Sequence, residues 1–187
     1  MQRRSFLLLI SAGLGGCMTS GRKLAPVTML EPGLDGPYHL DSGDKLRITV
    51  FEQASLTNTY TVDQAGYIAF PLIGNVAARG LTTQELARAL ARGLSGGYLR
   101  NPDVSVEVDT YRPFFIMGEV RNPGQYTYVD GLTAQTAVAI AGGFTARAND
   151  GQVEVTRRLN GKSYTGLVPL SAAIRPGDVL RVPLRLF

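Results

Sequence analysis

Six residues from Lys45 to Val50 alternate strictly, with Leu46, Ile48 and Val50 apolar and Lys45, Arg47 and Thr49 polar. That period of two predicts a half-buried strand. Val62-Asp63-Gln64-Ala65-Gly66-Tyr67 predicts a strand, a turn and the next strand. The period then changes to that of a helix. Leu86, Leu90 and Leu94 share one face, while Arg88 and Arg92 leave on another. Thr82 is placed to cap this helix, and Glu85 three residues later completes a capping box. Gly96-Gly97 stops it. Asn101-Pro102 then turns the chain into Val104-Ser105-Val106-Glu107-Val108-Asp109, with the valines on one face and Ser105, Glu107 and Asp109 on the other.

A second series follows. Phe114-Phe115-Ile116-Met117 reads as a buried strand, and Asn122-Pro123-Gly124 as a type II turn with Gly124 in the left-handed position. Tyr126 and Tyr128 fall on one face of the next strand. Thr133 can cap a short helix running to Ala141 and ended by Gly142-Gly143. Val153-Glu154-Val155-Thr156-Arg157 is a further strand. The order strand, turn, strand, helix, strand is that of a β-grasp. Two Gly-Asp turns frame the whole: Asp41-Ser42-Gly43-Asp44 opens the first alternating strand, and Arg175-Pro176-Gly177-Asp178 opens the last.

Residues 1–16 have the form of an export signal: Arg3 and Arg4, an apolar stretch from Phe6 to Ile10, then small residues. The apolar stretch is short of the roughly 20 residues that span a bilayer. Leu14-Gly15-Gly16-Cys17 resembles the lipobox of bacterial lipoproteins, which implies lipidation of Cys17 and cleavage before it. Anchoring follows from about 0.8 kcal/mol per buried methylene, summed over more than one acyl chain. Arg3-Arg4-Ser5-Phe6-Leu7 also resembles a twin-arginine signal, beside an ordinary basic start. Met18 stands where an Asp would imply inner-membrane retention, so the outer membrane is favoured. Residues 17–37 carry Pro26, Pro32 and Pro37 with no sustained period and form a lipidated tether. About 20 extended residues reach roughly 65 Å.

Composition narrows the function. The 187 residues suit one large domain or two small ones. The formal charge of +4 falls to +2 once Arg3 and Arg4 leave, and no basic run interleaves with aromatics, so nucleic acid is not an expected partner. One cysteine and one histidine make neither a disulfide nor a zinc site, so no metal or other cofactor is expected. Glu52, Asp63, Glu107, Asp109, Glu119 and Asp130 are the carboxylates of turns and solvated strand faces. An acid/base pair for glycan cleavage is not assembled from them, and His39 reads as a loop residue. The chain is therefore not expected to be an enzyme.

The ordered set of motifs is more specific than any one of them. Phe70-Pro71-Leu72-Ile73-Gly74, Gly80-Leu81-Thr82 before the capped helix, and Asn101-Pro102-Asp103-Val104-Ser105-Val106 follow the first Gly-Asp turn. Gly118-Glu119-Val120-Arg121-Asn122-Pro123-Gly124-Gln125-Tyr126 and Ala141-Gly142-Gly143-Phe144-Thr145 precede the second. This set resembles the outer-membrane polysaccharide export (Wza-type) lipoprotein family, in a short form with one SLBB domain. The resemblance implies an α+β chain: a small mixed α/β export domain at 38–110, then a β-grasp-like SLBB domain at 111–187. It implies a homo-oligomeric ring, often octameric, that conducts a nascent exopolysaccharide or capsule chain. It further implies docking of an inner-membrane polysaccharide co-polymerase with a tyrosine-kinase part, and a lipid-anchored place on the periplasmic face of the outer membrane. The large members carry several SLBB modules and a C-terminal amphipathic helix that builds the pore. This chain, which reads to Phe187 without such a helix, is expected to need a separate outer-membrane barrel. Arg47, Tyr67, Arg112, Tyr126 and Tyr128 are the candidate polysaccharide contacts, in a lumen that must hold its cargo weakly. A lipoprotein that senses or scaffolds an envelope glycan through the same SLBB fold, without a conduit, remains the alternative.

Overall fold

A computed structural model describes residues 37–159 and 162–185. The signal, Cys17 and most of the tether lie outside the described residues.

Two hydrophobic cores follow one another along the chain. The first is built on a three-stranded antiparallel sheet in the order β2-β1-β5, with β1 at Lys45–Val50, β2 at Asn58–Thr61 and β5 at Val104–Thr110. Leu46, Ile48 and Val50 are buried as the alternation predicts, and Lys45, Arg47 and Thr49 point to solvent. A hairpin of β3 (Tyr67–Phe70) and β4 (Gly74–Ala77) adds Ile68 and Phe70 to this core. Helix α1, Thr83–Ser95, lies across the sheet and buries Leu86, Leu90 and Leu94. Its capping box forms as expected: the Thr82 hydroxyl accepts from the Glu85 amide, and the Glu85 carboxylate accepts from the Thr82 amide. The chain leaves the helix at Gly96.

The second core is covered by a five-stranded sheet in the order β7-β6-β10-β8-β9. Its strands are β6 (Phe114–Gly118), β7 (Gly124–Tyr126), β8 (Gln152–Leu159), β9 (Lys162–Pro169) and β10 (Val179–Val182). β10 runs parallel to β6 and antiparallel to β8, and the remaining pairs are antiparallel. Helix α2, Ala134–Ile140, is capped by Thr133 and packs Ala134, Ala137 and Val138 into this core. The mixed sheet with a helix on one face matches the expected α+β, β-grasp-like architecture.

Two local expectations are corrected. Phe114–Met117 is buried on one face alone: Phe114 and Ile116 are sealed, but Phe115 and Met117 are 39% and 46% exposed. A strand turns successive side chains to opposite faces, and only one face of this sheet carries a helix. The turn before β7 also differs. Gly124 is not left-handed; it opens β7, and the positive φ of 87° falls at Gly118, where a Cβ would overlap the Val182 carbonyl. The parallel neighbour β10 approaches the backbone there, so the special residue sits at the end of β6.

Candidate functional site

The two Gly-Asp turns are built alike. In the first, the Asp44 amide donates to the Asp41 carbonyl (3.2 Å) and Gly43 has φ of 93°. In the second, the Asp178 amide donates to the Arg175 carbonyl (3.1 Å) and Gly177 has φ of 84°. A left-handed third residue with this hydrogen bond is the type II arrangement, which favours glycine. In both turns the aspartate carboxylate folds back to accept from the amide three residues earlier, Asp41 in one and Arg175 in the other, each at 2.8 Å. Asp44 and Asp178 are 0% and 1% exposed. Burial of an ionised carboxylate is costly unless it is fully hydrogen-bonded or paired, so the partners of each matter.

Asp178 is satisfied within its own core. The Arg157 guanidinium, itself buried, donates Nη2 to Oδ2 at 2.7 Å and Nε to Oδ1 at 3.0 Å, the forked geometry of a strong pair. The remaining reach of Arg157 goes to the Ala173 carbonyl.

Asp44 is satisfied partly by the segment that joins the two cores. That segment is Tyr111-Arg112-Pro113, between β5 and β6. The Arg112 amide donates to Asp44 Oδ1 (3.0 Å), and the Tyr38 hydroxyl donates to Oδ2 (2.7 Å). Arg112 Nη1 reaches the Tyr38 oxygen at 3.1 Å and Asp44 Oδ2 at 3.5 Å. The other side of the same segment holds the second turn: the Gly177 amide donates to the Pro113 carbonyl (3.1 Å). The Arg112 side chain also fills the space beside Gly177, where a Cβ would stand 2.5 Å from Nε. Three phenols complete the junction, with Tyr38 edge-on to Tyr111 (5.0 Å between ring centres) and Tyr111 edge-on to Tyr128 (5.5 Å). Burial pushes all three hydroxyls above the ordinary phenol range, so they stay protonated, and the Tyr38 hydroxyl is the one that donates to Asp44. For Tyr111 and Tyr128 the Asp130 carboxylate adds to the rise.

Around the first turn, Arg79 ties Asp41, the Ser42 hydroxyl and the Gln64 carbonyl together. Burial raises the Asp41 pKa, but the Ser42 amide, Arg79 and Arg112 together lower it further than burial lifts it.

The five predicted contact residues do not converge on one surface. Arg112 and Tyr128 meet at the junction through Tyr111, and the guanidinium of Arg112 is engaged as described. Tyr126 stacks on Phe114 and donates its hydroxyl to the Asn122 carbonyl (2.6 Å). Arg47 stands on the open face of β1, paired with Asp109 at 3.1 Å. Tyr67 opens β3 and is exposed. His39 lies on the surface with Nδ1 3.0 Å from the Gly80 carbonyl. A cleft of about 600 Å³ borders the junction, lined by Tyr38, Tyr111, Thr82, Glu85, Arg88 and Glu107. Phenol edges, hydroxyls, carboxylates and a guanidinium can offer many weak hydrogen bonds to a polyhydroxylated ligand. Among the described residues, no cluster of three His, Cys, Asp or Glu side chains could hold a metal.

Sequence reasoning missed Asp44, Asp178, Arg157, Tyr38 and Tyr111 as a structural set. The available signal was the duplicated Gly-Asp turn together with Arg112-Pro113 between two strands.

The comparisons with known proteins match the two cores in turn. Residues 33–109 match the family described as polysaccharide biosynthesis/export protein, and residues 113–167 match the SLBB domain. The exopolysaccharide production protein ExoF of Rhizobium meliloti (strain 1021) is 35% identical over 127 residues, covering 62% of this chain and 30% of ExoF. The chain thus spans under a third of the length of the curated relative it matches. Members of the family are typically periplasm-facing lipoproteins of the outer membrane, and they are non-catalytic export modules. The chain thus matches the polysaccharide biosynthesis/export family and then the SLBB domain, an export domain followed directly by an SLBB domain as in polysaccharide export proteins.

Proposed function

We propose that this protein is a lipid-anchored subunit of a ring-shaped conduit for a nascent exopolysaccharide or capsule chain. The observation that carries this reading is the tandem match, export domain then SLBB domain, over residues 33–109 and 113–167. The name of its relative, an exopolysaccharide production protein, supports the same class of cargo. Residues 38–110 and 111–187 act as the two modules, and Cys17 carries the acyl anchor at the end of a tether spanning 17–37. The ring docks on an inner-membrane polysaccharide co-polymerase with its tyrosine kinase and opens outward through a separate outer-membrane barrel. No helix among the described residues is long and apolar enough to cross a membrane. Of the residues proposed to touch sugar, Arg47 and Tyr67 have the exposure for it, and the cleft beside Tyr38 and Tyr111 has suitable chemistry. Arg112, Tyr126 and Tyr128 contribute through the shape they hold. Contacts of this kind are weak and numerous, which lets a polymer slide.

The test is surface and secreted polysaccharide in a strain lacking the gene, complemented with wild type or Cys17→Ser. Loss of surface glycan, fully restored by wild type alone, is the expected result. Normal secretion without the protein would overturn the conduit. The same SLBB fold suits a glycan sensor or scaffold, which needs no ring. Single-particle imaging of the detergent-extracted protein separates the two, with closed rings for the conduit and monomers for the sensor.

A further inference from the structure

We propose that Arg112 is a linchpin that makes the two cores unfold and move as one body, and that glycine at 177, which the left-handed turn already requires, also leaves the room through which Arg112 passes. The joining segment is only three residues, yet it is bonded on both sides. Its Arg112 amide serves the first turn at Asp44, and its Pro113 carbonyl serves the second turn at Gly177. The Arg112 side chain then runs through the gap between the turns. Its Cβ lies 3.5 Å from where a Gly43 Cβ would stand, and its Nε lies 2.5 Å from where a Gly177 Cβ would stand. The guanidinium ends on the Tyr38 hydroxyl and the Asp44 carboxylate, with Asp41 Oδ2 at 3.9 Å.

Two further features make the arrangement a coupling and not a passing surface contact. The Arg112 side chain is only 20% exposed and the carboxylate it helps to satisfy is fully buried, so the joining segment is fixed to the first core at Asp44, while the Gly177 amide on the Pro113 carbonyl and the packing of Arg112 beside Gly177 hold the same segment to the second. The aromatic file of Tyr38, Tyr111 and Tyr128 draws one ring from the first core's approach, one from the joining segment and one from the chain after β7. Interfaces between domains of one chain are ordinarily permissive of relative motion unless large and apolar. Here a small interface is held by charge, by backbone hydrogen bonds and by steric fit. Tyr38 itself precedes β1, so the chain leading into the first sheet is fastened at the same node.

Differential scanning calorimetry of the full chain, read with small-angle scattering, tests this. For wild type the van't Hoff and calorimetric enthalpies should agree, as for one cooperative unit. In Arg112→Ala the van't Hoff enthalpy should fall to about half the calorimetric one, and the scattering distance distribution should broaden. Arg112→Lys should fall between them, because a lysine keeps the charge without the planar fork. Gly177→Ala should be destabilised, and the double variant Arg112→Ala/Gly177→Ala should lose less than the two single losses combined. Two separable transitions in wild type would overturn the proposal. So would a single shifted transition with unchanged scattering in Arg112→Ala, or strict additivity in the double variant. Should Arg112→Ala fail to fold, the wild-type enthalpy ratio and the Lys variant decide the question by the same criteria.

Discussion

Asp44 and Asp178 occupy the same position in the same turn, and both are sealed from solvent, yet they are satisfied in opposite ways. Asp178 takes a buried arginine from its own sheet, with a forked pair that closes the second core upon itself. Asp44 takes a phenol from the start of the described chain and an amide from the segment leading out of its core. The first solution is internal and electrostatic. The second is external and built of neutral donors, with its one guanidinium at the longer distance of 3.5 Å. A turn motif therefore fixes local backbone geometry but not the role of its aspartate. Role follows from which donor the fold delivers, and one copy has become a core brace while the other has become a joint.

The sharpest way to break this comparison is to remove the internal partner. Arg157→Ala leaves Asp178 buried without its forked ion-pair partner, and it should cost about 3 to 5 kcal/mol. Urea unfolding should show that loss in the second core, while the fluorescence of tyrosines around the first sheet should change little if the joint is also weakened. Tyr38→Phe removes one donor from Asp44 while leaving the ring stack in place. The expected loss is about 1.5 kcal/mol, the low end for a hydrogen bond to a charged group, because two backbone amides still serve the carboxylate. A loss equal to that of Arg157→Ala would erase the distinction between brace and joint. The smallest effect concerns pH. Asp41 has a folded pKa below its unfolded value, so its contribution is present above the unfolded pKa of about 3.9 and is lost as pH falls through the folded one. Its partner Arg79 is well exposed, so that contribution should stay below about 1 kcal/mol. Comparing the acid limb of stability for wild type and Asp41→Asn measures it directly.

Much of the first core was legible in the sequence because its signals are local. The leucines of α1 recur at helical spacing, and Thr82 and Glu85 are three residues apart, so the cap and its box are set by neighbours. The alternation of β1 and β5 carried through to their buried and exposed faces. In the second core, the short helix with its Thr133 cap and the Gly142-Gly143 stop was equally plain. Phe115 and Met117 were misjudged because a run of four apolar residues hides its period, and which face is covered is decided by a helix that comes later. β9 was overlooked, although Asn160-Gly161 between two alternating stretches is a hairpin signal. The pairing at the junction was missed for a different reason. Asp44 and Arg112 are 68 residues apart, and neither is unusual where it stands. Among the proposed sugar contacts, residue type alone could nominate Arg112 or Tyr128, but it could not say that the fold had already engaged them.

The strand order of the second sheet bears on how the protein is made. β10 is the central strand of five, between β6 and β8, yet it is the one synthesised last. Until residues 179–182 arrive, β6 and β8 each lack a neighbour, and the apolar faces of Ile116 and Val155 have no Leu180 between them. The nascent domain is thus two unjoined sheet fragments with open edges, and such edges invite pairing with other chains. Closing the sheet requires joining residues separated by most of the domain, a contact pattern that slows folding. A chain crossing a membrane in an extended form would benefit from that delay, since nothing in this half can lock prematurely. The exposure of those open edges during the wait is the corresponding hazard.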